Sequence, residues 1–136
     1  IDCRKDEGIL TYSIKNNKII SEVCENTIKG YLDHMEEMLS PNYSKRYYFG
    51  VPAPTRHKKL FDALDIKRIE LVRLYNECLK KNILSRGSYF LDVYNMTSNK
   101  NGENNHIHMC DTNHLSPNCL SILFKNHLYE PNSVIQ

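Results

Sequence analysis

The sequence has no apolar stretch long enough to cross a membrane. A transmembrane helix needs about 20 consecutive apolar residues, and no run in these 136 residues approaches that length. Nothing near the start resembles a signal peptide. Basic and acidic residues are mixed along the chain and leave a net charge of +2, so there is no basic stripe to bind a phosphate backbone. We therefore expect neither a membrane span nor a nucleic-acid partner.

The chain also lacks the cysteine pattern of a disulfide-stabilised domain. Small secreted domains of that kind carry an even number of cysteines at close spacing. Here the number is odd and the positions are scattered: Cys3, Cys24, Cys78, Cys110 and Cys119. The sequence predicts reduced thiols and a reducing compartment, which we expect to be the cytoplasm.

Two segments have the period of amphipathic helices. Apolar residues recur every three or four positions between Asn17 and Leu39, and Pro41 then ends that helix. The pattern returns from Ile66 to Leu84, with Gly87 as its stop. The sequence therefore predicts two long helices, each with one face packed against a core.

Short aromatic and apolar runs predict two buried strands. The first is 45–51, in which Tyr47, Tyr48 and Phe49 are expected to be strand core, and the second is 89–93. Unbroken runs of this length suit strands covered on both faces of a parallel sheet. The polar segment 95–105 is expected to be an exposed loop.

A third helix begins where Ser116 precedes Pro117, because serine can cap free N–H groups and proline suits the first helical position. Its apolar face is expected to continue to Leu128. The order helix, strand, helix, strand, loop, helix predicts an α/β fold with parallel strands and right-handed crossovers. No internal repeat divides the chain, so residues 1–136 are expected to belong to a single domain.

The sequence also indicates where a site would lie. In open parallel sheets, ligands bind beyond the carboxyl ends of the strands. Three segments are expected at such ends: 2–4, 50–54, and the loop that leads to Asp111 and His114. We expect these segments to meet in one crevice.

The strongest chemical feature is an Asp three residues before a His. On a turn ahead of a capped helix, the carboxylate of Asp111 can hold one imidazole nitrogen of His114 while the other nitrogen faces the crevice. A general base needs this arrangement, since the carboxylate fixes the tautomer and stabilises the imidazolium. The alternative interpretation is an Asx-type turn with a surface histidine, which is the commoner meaning of an isolated Asp-x-x-His.

The block Asp-Thr-Asn-His-Leu-Ser-Pro, at 111–117, resembles the terminal block of SGNH (GDSL) hydrolases. The opening Ile-Asp-Cys-Arg is similar to the end of a segment found in a bacterial branch of these proteins that is associated with surface-polysaccharide genes. Residues 48–54 are similar to the strand and proline-rich turn between the two blocks. The resemblance implies a flavodoxin-like three-layer α/β/α sandwich with a parallel sheet, of which this chain is the C-terminal part.

The resemblance also implies an activity, that of a serine-type esterase or acyltransferase working without a cofactor. His114 would be the base of a Ser-His-Asp triad, and Asp111 its orienting partner. The substrate would be an O-acyl ester, with O-acetyl groups of a carbohydrate as the expected class, and the reaction would pass through an acyl-enzyme. The serine would lie in a Gly-Asp-Ser-like turn upstream of Ile1, in a part absent from this chain.

One position departs from the family. Ile1 stands where the family has an Asn that donates to the oxyanion, and loss of one such donor costs a factor of about 100 to 1,000 in rate. Arg4 could substitute electrostatically or bind an acidic substrate group, and it is equally expected as a structural ion-pair partner. Asp2 is expected to organise the turn.

Other functions stay open. The chain could be a catalytically lapsed SGNH-like module that binds carbohydrate or a partner protein. A zinc site would use donors that lie within nine residues of one another: His106, His108, Cys110, Asp111 and His114. A nucleophilic Cys110 or Cys3 near a histidine is a further option. Because the expected sheet would have an unpaired edge, a partner segment or chain could complete it.

Overall fold

The computed structural model describes residues 8–39, 45–55 and 63–131. These residues form a small sheet with helices packed against it. The helices are α1 (Ile9–Lys15), α2 (Ile20–Met38), α3 (Ala63–Ser85), α4 (Val93–Thr97) and α5 (Leu120–Asn126), and the strands are β1 (Tyr47–Phe49), β2 (Tyr89–Leu91) and β3 (Leu128–Tyr129). A 3-10 turn at Pro117–Cys119 leads into α5.

The two long amphipathic helices are present as α2 and α3. Their apolar stripes follow from the helical period: Cys24, Ile28 and Leu32 are spaced by four and are all buried. The matching stripe of α3 is Leu71, Tyr75, Leu79 and Ile83. The two helices pack against each other and against one face of the sheet.

The sheet has the order β1-β2-β3. Strands β1 and β2 are parallel, with Tyr48 opposite Phe90, as the sequence predicts. Strand β3 is antiparallel to β2, with Leu128 opposite Leu91. The last helix was expected to reach Leu128, but it ends at Asn126, and the residues that follow turn back along β2.

The structure therefore contradicts the flavodoxin-like three-layer sandwich with a parallel sheet. Among the described residues the sheet is mixed, and its three strands are two or three residues long. One physical reason is Asp92, whose carboxylate accepts a hydrogen bond of 2.9 Å from the N–H of Asn95. That N-cap begins α4 at Val93, so the second strand stops at Leu91 and the expected loop begins only after Thr97.

The core consists of two apolar clusters on opposite faces of β2. Successive strand residues point to opposite faces, and Phe90 and Leu91 are both fully buried. Phe90 belongs to the cluster formed with α1, α2 and α3. Leu91 belongs to the cluster formed with α4 and α5, which includes Met96 and Leu123.

Strand β1 is buried on one face only, which corrects the expectation that its aromatic run is all core. Tyr48 is 8% exposed, whereas Tyr47 is 40% and Phe49 is 51% exposed. Within the described residues β1 pairs with β2 alone. A partner that completes the sheet along this edge therefore stays a prediction. No helix in the described part of the chain is both long and apolar enough to span a bilayer.

The end of β1 is fixed by a side chain of α3. The side-chain amide of Asn76 accepts a 2.8 Å hydrogen bond from the N–H of Val51 and donates one of 3.1 Å to the carbonyl of Val51. These are the main-chain groups that a neighbouring strand would otherwise bind. Asn76 is buried. A Cβ at Gly50 would lie 2.7 Å from Asn76 Oδ1 and 3.0 Å from Phe90 Cζ.

We predict that Gly50→Ala destabilises the protein by about 1 to 3 kcal/mol, the usual cost of overpacking. The new methyl group must displace an amide held by three hydrogen bonds or a fully buried ring. The matched control is Gly30→Ala on the exposed side of α2, where a Cβ meets nothing within 4 Å, and we expect it to stabilise by about 0.5 to 1 kcal/mol. Urea denaturation measures both. Equal changes in the two variants would contradict the close approach at Gly50.

Candidate functional site

The two residues predicted as base and orienting acid are in direct contact. Nδ1 of His114 lies 2.7 Å from Oδ2 of Asp111. The other oxygen, Oδ1, accepts 2.7 Å hydrogen bonds from the N–H groups of Asn113 and His114. An ionised carboxylate only accepts hydrogen bonds, so the proton of a neutral ring lies on Nδ1. The unshared electron pair of the ring is then on Nε2.

The surroundings of Asp111 favour its charged form. Three groups hold the pKa of this carboxyl below its usual range: first the N–H of Asn113, then the imidazole of His114, and then the N–H of His114. Each donates to the carboxylate, and hydrogen bonds to the charged form lower a pKa. The side chain at the centre of the site is therefore an anion over the whole neutral range.

A short hairpin presents this pair. The N–H of Cys110 donates 3.0 Å to the carbonyl of His114, and Met109 forms an antiparallel bridge with Leu115. The Asp and His thus stand at the two ends of a closed turn. This local closure explains why a spacing of three residues brings the carboxylate and the ring together.

The hairpin lies against the segment that follows β1. The hydroxyl of Thr55 donates 3.1 Å to the carbonyl of Thr112, in the middle of the turn. Thr55 is one residue beyond the expected segment 50–54, which itself meets the loop through a 2.9 Å hydrogen bond from the N–H of Asn104 to the carbonyl of Pro54. The third expected segment, with the candidate substrate-binding or oxyanion residues Asp2 and Arg4, lies outside the described residues.

The pair is on the surface and not in an enclosed crevice. The side chain of His114 is 74% exposed and that of Asp111 is 54% exposed. The local geometry is that of an Asx turn with a surface histidine, the alternative that the sequence left open. The contact between base and acid is present, and its catalytic role stays a prediction.

The other donors of the loop do not build a metal site. Among the described residues, which include all of 106–114, no three His, Cys, Asp or Glu side chains converge enough to hold a metal ion. The zinc alternative through His106 and His108 therefore has no geometric support.

The cysteine alternative is weakened in its turn. The thiol of Cys110 lies 3.5 Å from the carbonyl oxygen of His114 and 3.7 Å from that of Leu115. It is therefore directed at the backbone and not at the imidazole. Cys3 lies outside the described residues, and no disulfide joins the four cysteines that are described.

Thr55 is the residue of this region that sequence reasoning missed. Its only sequence signal is a hydroxyl directly after the Pro-Ala-Pro turn at the end of β1. Its partner is a backbone carbonyl 57 positions away, and any residue supplies such a carbonyl. The sequence therefore holds no pattern that identifies this contact.

Comparison of the chain with protein-family models, with curated proteins and with solved structures gave no match in any of the three. The resemblance to SGNH hydrolases accordingly stays a prediction that rests on the quoted residues.

We predict that the carboxyl of Asp111 titrates below the usual range of Asp in wild-type protein, and that His114→Ala raises its pKa only in part. The N–H of Asn113 is the largest cause of the lowered value and survives the substitution. Because the folded pKa is lowered, the ionised carboxylate stabilises the turn above the unfolded pKa. That stabilisation is lost as pH falls through the folded pKa. A carbon-13 NMR titration of this carboxyl measures both values, and an ordinary pKa in wild type would contradict the turn.

Proposed function

We propose that this chain carries the base half of a serine-type acyl-transfer site, which hydrolyses or transfers O-acyl groups. The observation that supports this most is the 2.7 Å contact between His114 Nδ1 and Asp111 Oδ2. It leaves Nε2 as the proton acceptor on an accessible ring. An imidazole oriented by a carboxylate is the general base of such enzymes.

In the proposed reaction, a seryl hydroxyl within hydrogen-bond reach of Nε2 gives its proton to His114 while its oxygen attacks the ester carbonyl carbon. The carboxylate of Asp111 stabilises the imidazolium that forms. His114 then returns the proton to the leaving alcohol, and an acyl-enzyme remains. Water, or another hydroxyl, repeats the sequence and releases the acyl group. The resemblance implies that this serine stands in a Gly-Asp-Ser-like turn, and none of the serines of this chain has that context.

The substrate class comes from the resemblance to a polysaccharide-associated branch, which suggests O-acetyl groups of a carbohydrate. The mixed sheet departs from the SGNH sandwich, so the fold does not support this proposal. It rests instead on the geometry of the pair, in which Asp111 orients the ring of His114.

A second candidate is a module that binds carbohydrate or a partner protein without catalysis. Two observations favour it. The ring of His114 is mostly exposed, and an aromatic surface lies on the uncovered side of β1. There Tyr47 stacks on Tyr89 with ring centroids 4.8 Å apart, and its ring centroid lies 5.4 Å from that of Phe124. Tyr is enriched at interfaces, and exposed apolar patches mark interaction or ligand-binding sites.

We predict that His114→Ala in the full-length protein lowers kcat/KM for an O-acetylated oligosaccharide by at least about a thousandfold, since the general base is removed. Asp111→Asn keeps an oxygen that can accept from the turn's N–H groups but loses the charge that stabilises the imidazolium. We expect it to cost about a hundredfold or more. The control is His34→Ala, an exposed histidine on α2, which should retain the wild-type rate.

The measurement is acetate release, with circular dichroism to show that each variant folds. Equal rates in wild type and His114→Ala would reject the proposed base. The binding module would then be favoured if Tyr47→Ala weakens oligosaccharide binding while His114→Ala does not. Binding by calorimetry gives that comparison.

A further inference from the structure

The Asp111–His114 turn fixes its own shape but not its direction. Its internal hydrogen bonds run from Asn113 and His114 to Asp111 and from Cys110 to His114. The base of the hairpin is held by the Met109–Leu115 bridge, by a 2.8 Å hydrogen bond from the N–H of Ser116 to the carbonyl of His108, and by Leu115, which packs against the cluster formed with α4 and α5. The bonds within 110–114 close only the tip, so the tip can tilt about that base, and the ring of His114 would tilt with it.

A contact from outside the hairpin opposes this motion. The hydroxyl of Thr55 donates 3.1 Å to the carbonyl of Thr112, the residue directly after Asp111. Because Thr112 lies between the acid and the base along the chain, a bond to its carbonyl restrains the peptide unit on which both side chains depend.

Thr55 is itself held on a rigid element. Its carbonyl accepts 2.9 Å from Nη2 of Arg68, on α3. Two residues earlier, Ala53 is buried, and its N–H donates 2.9 Å to the hydroxyl of Thr97. The main chain at 53–55 is thus bonded to α3 and α4. The hydroxyl of Thr55 is therefore held in place and can restrain the turn to which it donates.

We propose that Thr55 is a positioning residue, which fixes the direction of the Asp111–His114 turn against the segment that follows β1, through the carbonyl of Thr112. The restraint of the turn by Thr55 does not depend on the proposed function. Only the expected effect on the reaction rate rests on it. Thr55 does not touch the reacting atoms. It determines how much of the time Nε2 of His114 points toward the position of the attacking hydroxyl, and orientation of this kind acts on the rate of the chemical step.

The test compares Thr55→Val, which keeps the shape and removes the hydroxyl, with Thr55→Ser, which keeps the hydroxyl. Nitrogen-15 relaxation of the amides of Thr112, Asn113 and His114 reports the mobility of the turn and needs no activity. We expect lower order parameters in Thr55→Val and wild-type values in Thr55→Ser. Thr27→Val is the matched control, because it removes a similar exposed hydroxyl-to-carbonyl bond within α2 and should leave the turn unchanged.

Kinetics of the full-length protein complete the test. Loss of one hydrogen bond of this kind corresponds to a factor of about 3 to 10, which we expect in kcat with KM nearly unchanged and with rescue by Thr55→Ser. An unchanged turn in Thr55→Val overturns the inference. A looser turn with unchanged kcat in an active enzyme also overturns it. A looser turn in a protein without His114-dependent activity supports the positioning contact and overturns the proposed function.

Discussion

Two consecutive residues of β2 hold the structure together. Phe90 and Leu91 have no exposed surface, and they enter separate apolar clusters on the two faces of the sheet. Because adjacent side chains of a strand point in opposite directions, this one strand joins α1, α2 and α3 on one face to α4 and α5 on the other. Parallel β1 and antiparallel β3 both pair with it, so the position of the segment that follows β1, which contacts the hairpin, depends on the burial of β2.

Side-chain amides and hydroxyls then determine where β1 ends and what lies beyond it. Asn76 takes both main-chain groups of Val51. Asn104 is buried, and its side chain donates a 3.0 Å hydrogen bond to the carbonyl of Ala53. The N–H of Ala53 in turn donates to the hydroxyl of Thr97. In short strands such bonds replace the ladder that a longer sheet would provide, since buried main-chain groups must be paired. They bring the segment after β1 to the hairpin that carries Asp111 and His114.

The sequence predicts the parts of this fold that have a clear period. Helices α2 and α3 follow from apolar spacing, but a run such as 89–93 could not show that Asp92 would cap a helix and end the strand. The aromatic run of β1 could not show that Tyr47 and Phe49 lie uncovered, because hydrophobicity does not distinguish a central strand from an edge strand. Likewise Leu128 fits a helix face as well as the two-residue strand it joins. The contact of Asp111 with His114 was predictable because it is local, whereas its exposure and the contact with Thr55 depend on tertiary structure.

The Asx turn and the general base are not competing interpretations of Asp111. A carboxylate has about four acceptor positions on two oxygens. Here Oδ1 receives both backbone N–H groups and Oδ2 faces the imidazole, so the structural and the orienting roles use different atoms. The backbone bonds fix the plane of the carboxylate, and a fixed plane determines the direction of its second oxygen. The commonplace turn is thus the support that an oriented histidine requires, and the hydroxyl of Thr55 connects that turn to a segment bonded to α3 and α4.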